Sequence, residues 1–131
     1  PFGVYSEGDF AYVANVYDDS VSIINLVDWS KYEFMVGAHP YNVKVHNKTA
    51  YVTNTIDDTI TIYDLGTKKI IKILDTGETP ENLDFNIKQN LLVVTNWGGD
   101  SVSIFDTKSF QHIKEIKTGA QSRSFGDFIL Q

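Results

Sequence analysis

The sequence predicts an all-β fold built from repeated sheets of four antiparallel strands, and three observations lead to it. One pattern of residues recurs three times along the 131-residue chain, with a period of about 40 residues. Within each copy, short runs rich in Val, Ile, Thr, Tyr and Phe alternate with clusters of Asn, Asp and Gly, which is typical of consecutive hairpins. No window has apolar residues spaced three and four apart between helix start and stop signals, so helices are not expected.

The recurring pattern divides the chain into three units and a remainder. Its first part reads Tyr12-Val-Ala-Asn15, Tyr51-Val-Thr-Asn54 and Val93-Val-Thr-Asn96. An Asp-(Ser/Thr)-(Val/Ile) string follows in each copy. We therefore expect units at residues 1–39, 40–79 and 80–121, followed by residues 122–131. Each unit opens with a proline (Pro1, Pro40, Pro80) and closes with a glycine near its end (Gly37, Gly77, Gly119).

Four strands, A to D, fit into each unit, and the second unit illustrates them. Strand C of this unit alternates polar and apolar residues, so Ile60 and Ile62 should share one face. The same alternation occurs in strand C of the other two units. In the second unit we expect strand A near Asn42–Val45, strand B near Ala50–Thr53, strand C near Thr59–Tyr63 and strand D near Ile70–Leu74.

A period of about 40 residues with four strands favours the blades of a β-propeller over the turns of a solenoid. Blades pack face to face around an axis, so both faces of each sheet need apolar residues. Runs such as Leu91-Leu-Val-Val94 supply them. A β-sandwich is the main alternative, because it also has short and regularly spaced strands. The near-identical copies favour the propeller.

The string Tyr51-Val-Thr-Asn54, together with the Asp-(Ser/Thr)-(Val/Ile) and Gly-X-X-Pro strings, resembles the YVTN family of β-propeller repeats over essentially the whole chain. Val93 replaces the tyrosine in the third copy, and Ser122 replaces the proline after Gly119. The resemblance implies a protein of the periplasm or the cell surface. Propellers with this repeat include haem-d1-carrying nitrite reductase domains, quinoprotein amine dehydrogenase heavy chains and lactonase-like hydrolases.

The number of units leads to a separate expectation about how the ring of blades is closed. Residues 122–131 match only strand A, so we expect them to form the closing strand of a further blade. By resemblance to propellers in which one terminus completes a blade begun by the other, strands B to D of that blade are expected upstream of Pro1. Three blades cannot close a ring, so we expect the carboxyl-terminal part of a propeller of about seven blades. Closure then needs the remaining blades or a second copy of the chain.

The composition narrows the classes of partner. With 11 Lys and Arg against 17 Asp and Glu, the net charge is −6, which does not suit nucleic acid. The absence of cysteine excludes disulfides, Cys-ligated zinc, iron–sulfur clusters and thiol nucleophiles. No apolar run approaches the roughly 18 residues of a membrane-spanning helix. A protein or a small molecule is therefore the expected partner, with neither nucleic acid nor a membrane span.

Candidate binding residues gather where the B–C and D–A loops meet, at one end of the predicted blades, which we call the rim. The recurring Asn and Asp residues of the rim are interpreted as Asx-turn residues of the scaffold, because they occur in every unit. Residues that break the repeat are better candidates for ligand contacts. They are Tyr17, His39, Tyr41, Trp97 and Arg123, with the acidic Asp18 and Asp57 beside them.

These candidates have structural and functional interpretations. His39 is a solvated loop residue, or it binds a metal or haem or acts as a general base. Trp97 packs on the next blade, or it forms an aromatic wall over a ligand. Arg123 pairs with a rim aspartate, or it binds a carboxylate or phosphate ligand. His46 and His112 lie too far from His39 in the predicted blades for the three to share one metal ion.

The sequence thus predicts a non-catalytic binding or scaffold module of the cell envelope, whose acidic rim meets a protein or small-molecule ligand. No catalytic residue, metal site or cofactor is predicted. The alternative is a part of a propeller enzyme or cofactor-carrying protein of the haem d1, quinoprotein dehydrogenase or lactonase-like kind. A haem or quinone would then need a site supplied by the missing blades.

Overall fold

The computed structural model describes residues 1–129 as three antiparallel sheets of four strands each, with no helix among them. The all-β fold class is confirmed. We number the sheets as blades 1 to 3, and every strand pairs with the next one in its blade. Blade 1 contains β1 (Val4–Glu7), β2 (Phe10–Asn15), β3 (Ser20–Asn25) and β4 (Lys31–Met35); blade 2 contains β5 (Pro40–His46), β6 (Thr49–Asn54), β7 (Thr59–Asp64) and β8 (Lys69–Asp75); blade 3 contains β9 (Pro80–Asn86), β10 (Leu91–Asn96), β11 (Ser101–Asp106) and β12 (His112–Lys117).

The four strands expected in the second unit are all present, each slightly longer than predicted. Period-two alternation places Ile60 and Ile62 on one face of β7, and both are fully buried. Burying such a side chain contributes about 1.5–3 kcal/mol. These residues therefore hold blade 2 to its neighbour.

Adjacent blades pack face to face through two apolar clusters. Phe105 of blade 3 is 1% exposed and belongs to the cluster that contains Ile60 and Ile62. The cluster between blades 1 and 2 includes Val21, Phe34, Val43, Val52 and Tyr63, and the cluster between blades 2 and 3 includes Tyr51, Leu74, Leu83, Leu92 and Val94.

The outer blades each have one sheet face that no described residue covers. Val4 in blade 1 is 65% exposed and Ile116 in blade 3 is 43% exposed, although their counterparts in blade 2, Val43 and Leu74, are buried. Such open apolar faces fit an incomplete propeller. The described residues contain no helix with the length and apolarity needed to cross a membrane.

The recurring Asn residues have a different role from the one predicted. Asn54 Nδ2 donates hydrogen bonds to Thr59 Oγ1 at 3.0 Å and to Thr61 Oγ1 at 2.9 Å, whereas we expected Asn54 to accept bonds from turn amides. Asn15 and Asn96 donate in the same way to serine hydroxyls of their own blades. The Asn amide therefore ties strand B to strand C inside each blade.

The recurring Asp residues belong to the scaffold, but they bridge two loops and do not close their own turn. Asp58 Oδ1 accepts the backbone N–H of Thr79 at 2.7 Å, across the B–C and D–A loops. Asp19 and Asp100 repeat this contact in the other blades. True Asx turns lie at the opposite end, where Asp64 Oδ1 accepts the N–H groups of Gly66 and Thr67.

The expectation that residues 122–131 close a further blade stays a prediction, because the described residues contain no further blade for them to complete. None of residues 122–129 is in a strand, and residues 130–131 lie outside the described residues. The segment nevertheless runs beside β9, with Ser124 Oγ 3.2 Å from Asn82 Nδ2 and the Phe128 N–H donating to Asp84 Oδ2 at 2.7 Å. Strand A of a blade pairs with strand B of the same blade, and each strand B among the described residues is already paired with a strand A.

Candidate functional site at the rim and the inner strands

The rim has a backbone that is held in the same conformation in every blade. The residue that ends each D–A loop has φ of +54° in all three units, at His39, Thr79 and Gln121. Its N–H donates to the carboxylate of Asp19, Asp58 or Asp100. Side chains that differ between units are therefore displayed on a common rigid frame.

Tyr17 and His39 form the first group of rim candidates. Tyr17 is 90% exposed, and its ring meets the His39 ring edge-on, with centroids 5.7 Å apart. Asp18 is exposed beside Tyr17. The exposed Asp57 accepts the Ala38 N–H at 2.7 Å, which fixes the loop that carries His39. This corner of the rim presents an aromatic ring next to carboxylates.

Trp97 and Arg123 form the second group. The Arg123 guanidinium lies 4.8 Å from the centre of the Trp97 ring and pairs with the buried Glu81 carboxylate at 3.1 Å. Burial raises the pKa of Glu81, while Arg123 opposes that rise. Arg123 thus pairs with a glutamate where an aspartate was expected. Trp97 packs on this arginine, and within residues 1–129 we find no contact between this group and the Tyr17 group.

Tyr41 lies between these groups along the inner side of blade 2. Its ring packs on the Phe2 ring of blade 1, with centroids 4.0 Å apart. Burial raises the pKa of the Tyr41 hydroxyl, and the nearby Glu81 carboxylate adds to that rise. Tyr41 therefore presents a protonated hydroxyl at neutral pH and joins blades 1 and 2.

A charged network, formed by the buried Lys44 and Asp84 and the exposed Asp127, lies below the rim on the inner strands, by which we mean strand A of each blade (β1, β5 and β9). Lys44 Nζ lies 2.9 Å from Asp84 Oδ1 and 2.6 Å from Asp127 Oδ1. The side chains of Lys44 and Asp84 are 7% and 8% exposed. Asp84 Oδ2 also accepts the N–H groups of Phe128 and Ile129 at 2.7 and 2.8 Å. We call these three charged residues the inner network.

The inner network was not predicted from the sequence, although the sequence contains a signal for it. Lys44 and Asp84 occupy the same place in strand A of successive units, at equal distances along the chain from Pro40 and Pro80, and they carry opposite charges. Asn42 and Asn82 form a second matched pair, and their side chains are hydrogen-bonded to each other. Each repeat of such a fold contacts its neighbours, so complementary residues at matching positions indicate contacts between blades.

The three histidines lie in separate places, as expected. His39 meets Tyr17 at the rim, the His46 ring stacks on Phe85 at 5.0 Å, and the His112 ring lies 5.1 Å from Phe105. Each imidazole therefore packs on a different aromatic ring.

Comparisons with known proteins relate this geometry to solved structures. No known protein family and no curated protein matches the sequence. Hydrazine synthase of Kuenenia stuttgartiensis is similar in structure, with a TM-score of 0.86 and 20% identity over 92% of this chain and 36% of that chain. The computationally designed Ika8 protein has a TM-score of 0.78 and 12% identity, over 95% of this chain and 40% of its own.

A further similar structure is that of the dihydro-haem d1 dehydrogenase NirN, with a TM-score of 0.72 and 18% identity. The match covers 88% of this chain and 26% of that chain. The chain therefore spans less than half the length of each of these three proteins. At these identities the likeness defines the fold alone: the chain has the architecture of three β-propeller blades.

Proposed function

We propose that the rim of these blades binds a cationic partner, such as a lysine-rich protein surface, and that the chain is a binding module without catalytic groups of its own. The observation that carries the proposal is the 90% exposure of Tyr17 beside the exposed Asp18. An exposed aromatic ring next to carboxylates suits an ammonium or guanidinium group. The proposed location, the periplasm or the cell surface, rests on the YVTN resemblance.

The paired charges of the rim and of the inner strands support a scaffold role for these strands. Lys44 and Asp84 satisfy each other, and Arg123 is held between Glu81 and Trp97. Groups fixed in this way orient the blades. The exposed Asp18 carboxylate is left to meet a partner, and the exposed Asp57 adds negative charge to the rim while it accepts the Ala38 N–H.

A lysine peptide tests this proposal. We expect hexalysine to bind the full chain at low ionic strength and to weaken as salt is added, because exposed charges are screened. Tyr17→Ala and Asp18→Asn should each weaken binding about two- to fivefold, since an exposed cation–π contact or ion pair contributes about 0.5–1 kcal/mol. Calorimetric titration at two salt concentrations measures both effects.

The matched control is Asp9→Asn, which removes one exposed carboxylate at the opposite end of blade 1. It should leave the affinity for hexalysine within about 1.5-fold of the native value if the rim is the binding surface. An equal loss in Asp9→Asn and Asp18→Asn would mean that net charge alone attracts the peptide, and the proposal would fail.

A second candidate is a part of an enzyme or cofactor-carrying propeller. It is favoured by the names of two similar structures, hydrazine synthase and a dihydro-haem d1 dehydrogenase. In this case the other blades would supply the cofactor site. A Soret or quinone absorption band in the purified native protein would support this candidate over the binding module.

A further inference from the structure

An open groove lies between blades 1 and 2 at the end of the sheets opposite the rim. Its volume is about 480 Å³, which falls in the range of small-molecule sites, roughly 300–1,000 Å³. Its walls are mainly aromatic and aliphatic, and Glu7, Lys48 and Lys68 lie around it. The apolar wall includes Phe10, Tyr12, Ile23, Tyr32, Val45 and Tyr63.

The repeat itself explains why this groove is open. Lys68 of blade 2 and Phe110 of blade 3 occupy equivalent positions. Each has φ near +60°, and the N–H of each donates at 2.9 Å to the backbone carbonyl of the aspartate that ends strand C of its blade. Phe110 packs on the apolar cluster between blades 2 and 3. Lys68 has no ring with which to fill the corresponding space between blades 1 and 2.

A second difference enlarges the groove on its inner side. Phe85 is the blade 3 counterpart of Val45, and its ring packs edge-on against Tyr51 of blade 2 at 5.0 Å. Tyr12 is the blade 1 counterpart of Tyr51. Because Val45 is smaller than phenylalanine, the space that a phenylalanine ring would occupy beside Tyr12 is unfilled. Two phenylalanines therefore fill one inter-blade space, and a valine and a lysine leave the other open.

The walls of the groove present aromatic surface, which suits a ligand with an aromatic ring. Phe10 and Tyr32 are 41% and 37% exposed, so flat aromatic surface faces the groove. The Tyr32 and Tyr63 hydroxyls are hydrogen-bonded at 2.5 Å, and Tyr63 stacks on Phe34 at 3.7 Å, which fixes this wall. Burial, together with the Tyr32 bond, raises the pKa of Tyr63, so its hydroxyl stays protonated.

The mouth of the groove carries more positive than negative charge. Lys68 Nζ lies 4.6 Å from the centre of the Tyr32 ring, and Lys48 lies nearby in the A–B loop of blade 2. Among residues 1–129, neither lysine has a carboxylate within 4.0 Å, and Glu7 is the acidic residue on the groove wall. An anionic group on a ligand would therefore be attracted to the two ammonium groups.

We propose that the groove between blades 1 and 2 is a binding site for a small aromatic carboxylate, whose ring lies among Phe10, Tyr12 and Tyr32 and whose carboxylate meets Lys68 and Lys48. Both blades that build the groove are present in the described residues, so the site is independent of further blades. It is also independent of the rim proposal, because it lies at the other end of the sheets.

The test uses 2-naphthoate as the probe and the full chain as the receptor. The variant Val45→Phe/Lys68→Phe copies blade 3 and should fill the groove without loss of thermal stability. We expect it to weaken 2-naphthoate binding at least about tenfold, because the ring would lose its buried contacts. Lys68→Gln keeps the groove open and should weaken binding about two- to fivefold through loss of one charge contact.

Two controls separate this site from other apolar surfaces. Lys108→Gln removes an exposed lysine from the equivalent loop of blade 3 and should leave the affinity unchanged. The neutral 2-naphthamide should bind the native chain and Lys68→Gln equally well. Unaltered 2-naphthoate binding in both Val45→Phe/Lys68→Phe and Lys68→Gln, or no binding to the native chain, would overturn the proposal.

Discussion

Replacing Asp84 with Leu should destabilise the protein by about 3–5 kcal/mol, the cost of breaking a buried ion pair by removing one partner. Lys44 would lose its buried counter-ion and keep the Gly126 carbonyl and the Asp127 carboxylate, whose side chain is 85% exposed. The N–H groups of Phe128 and Ile129 would lose their acceptor. Chemical denaturation measures the change, which is large against a typical total stability of about 5–15 kcal/mol.

Asp127→Leu is the matched control, because Asp127 is also bonded to Lys44 but is exposed. It should cost less than about 1 kcal/mol. Hydrogen exchange gives a second readout: in Asp84→Leu, the amides of Phe128 and Ile129 should exchange faster than in the native chain. Equal stability of Asp84→Leu and Asp127→Leu would contradict the larger contribution expected of the buried pair.

The charge of Asp84 should also appear in the pH dependence of stability. Burial alone would raise the pKa of Asp84, but hydrogen bonds from Lys44 and from backbone N–H groups hold it below its usual value. A lowered folded-state pKa contributes stability above the unfolded pKa of about 3.9, and this contribution is lost as the pH falls through the folded pKa. The difference in free energy of unfolding between the native chain and Asp84→Asn should therefore be largest at neutral pH and decrease in acid. A difference that is the same at all pH values would contradict this.

The strands could be predicted from the sequence because their signals are local. Alternation in Thr59–Tyr63 and the repeated Asn and Gly positions lie within a single unit, and they place β7 and its neighbours correctly. The Asn role was wrong for a physical reason. An Asn beside a turn can accept from turn amides or donate to a nearby hydroxyl, and the serine or threonine partners five and seven residues later decide between these roles.

The candidate site was only partly predictable, because its contacts join different units. Tyr17 and Trp97 could be located on the rim from their loops, whereas the pairing of Arg123 with Glu81 depends on how residues 122–129 run beside β9. The Lys44–Asp84 pair likewise exists only once blades 2 and 3 are stacked. Contacts between blades follow from blade packing, which the order of residues along one strand does not specify.

Replacing Gly77 with Ala should cost about 3 kcal/mol, at the upper end of the usual range for overpacking. A Cβ at this position would lie 2.8 Å from Asn96 Cγ and 2.8 Å from Ser101 Oγ. Asn96 is fully buried and holds Ser101 and Ser103 through its amide, so it cannot move aside without losing those bonds. Thermal and chemical denaturation measure the loss.

Gly119→Ala is the matched control within the same chain. Gly119 closes the third unit as Gly77 closes the second, but a Cβ on Gly119 would have no described atom within 4 Å beyond its chain neighbours. Its replacement should change stability by less than about 0.5 kcal/mol, as for most surface sites. A large loss in Gly119→Ala would mean that the backbone of this loop, and not the neighbouring Asn, requires glycine.

A double-mutant cycle tests the physical reason directly. If the clash with Asn96 causes the loss, Asn96→Ala should remove most of the penalty of Gly77→Ala, and the two changes should be strongly non-additive. Gly37 approaches Asn54 in the same way, with a Cβ at 2.7 Å from Asn54 Cγ, so the cycle should repeat between blades 1 and 2. The glycine that closes one unit and the asparagine of the next then form one contact, which explains why both recur with the period of the blades.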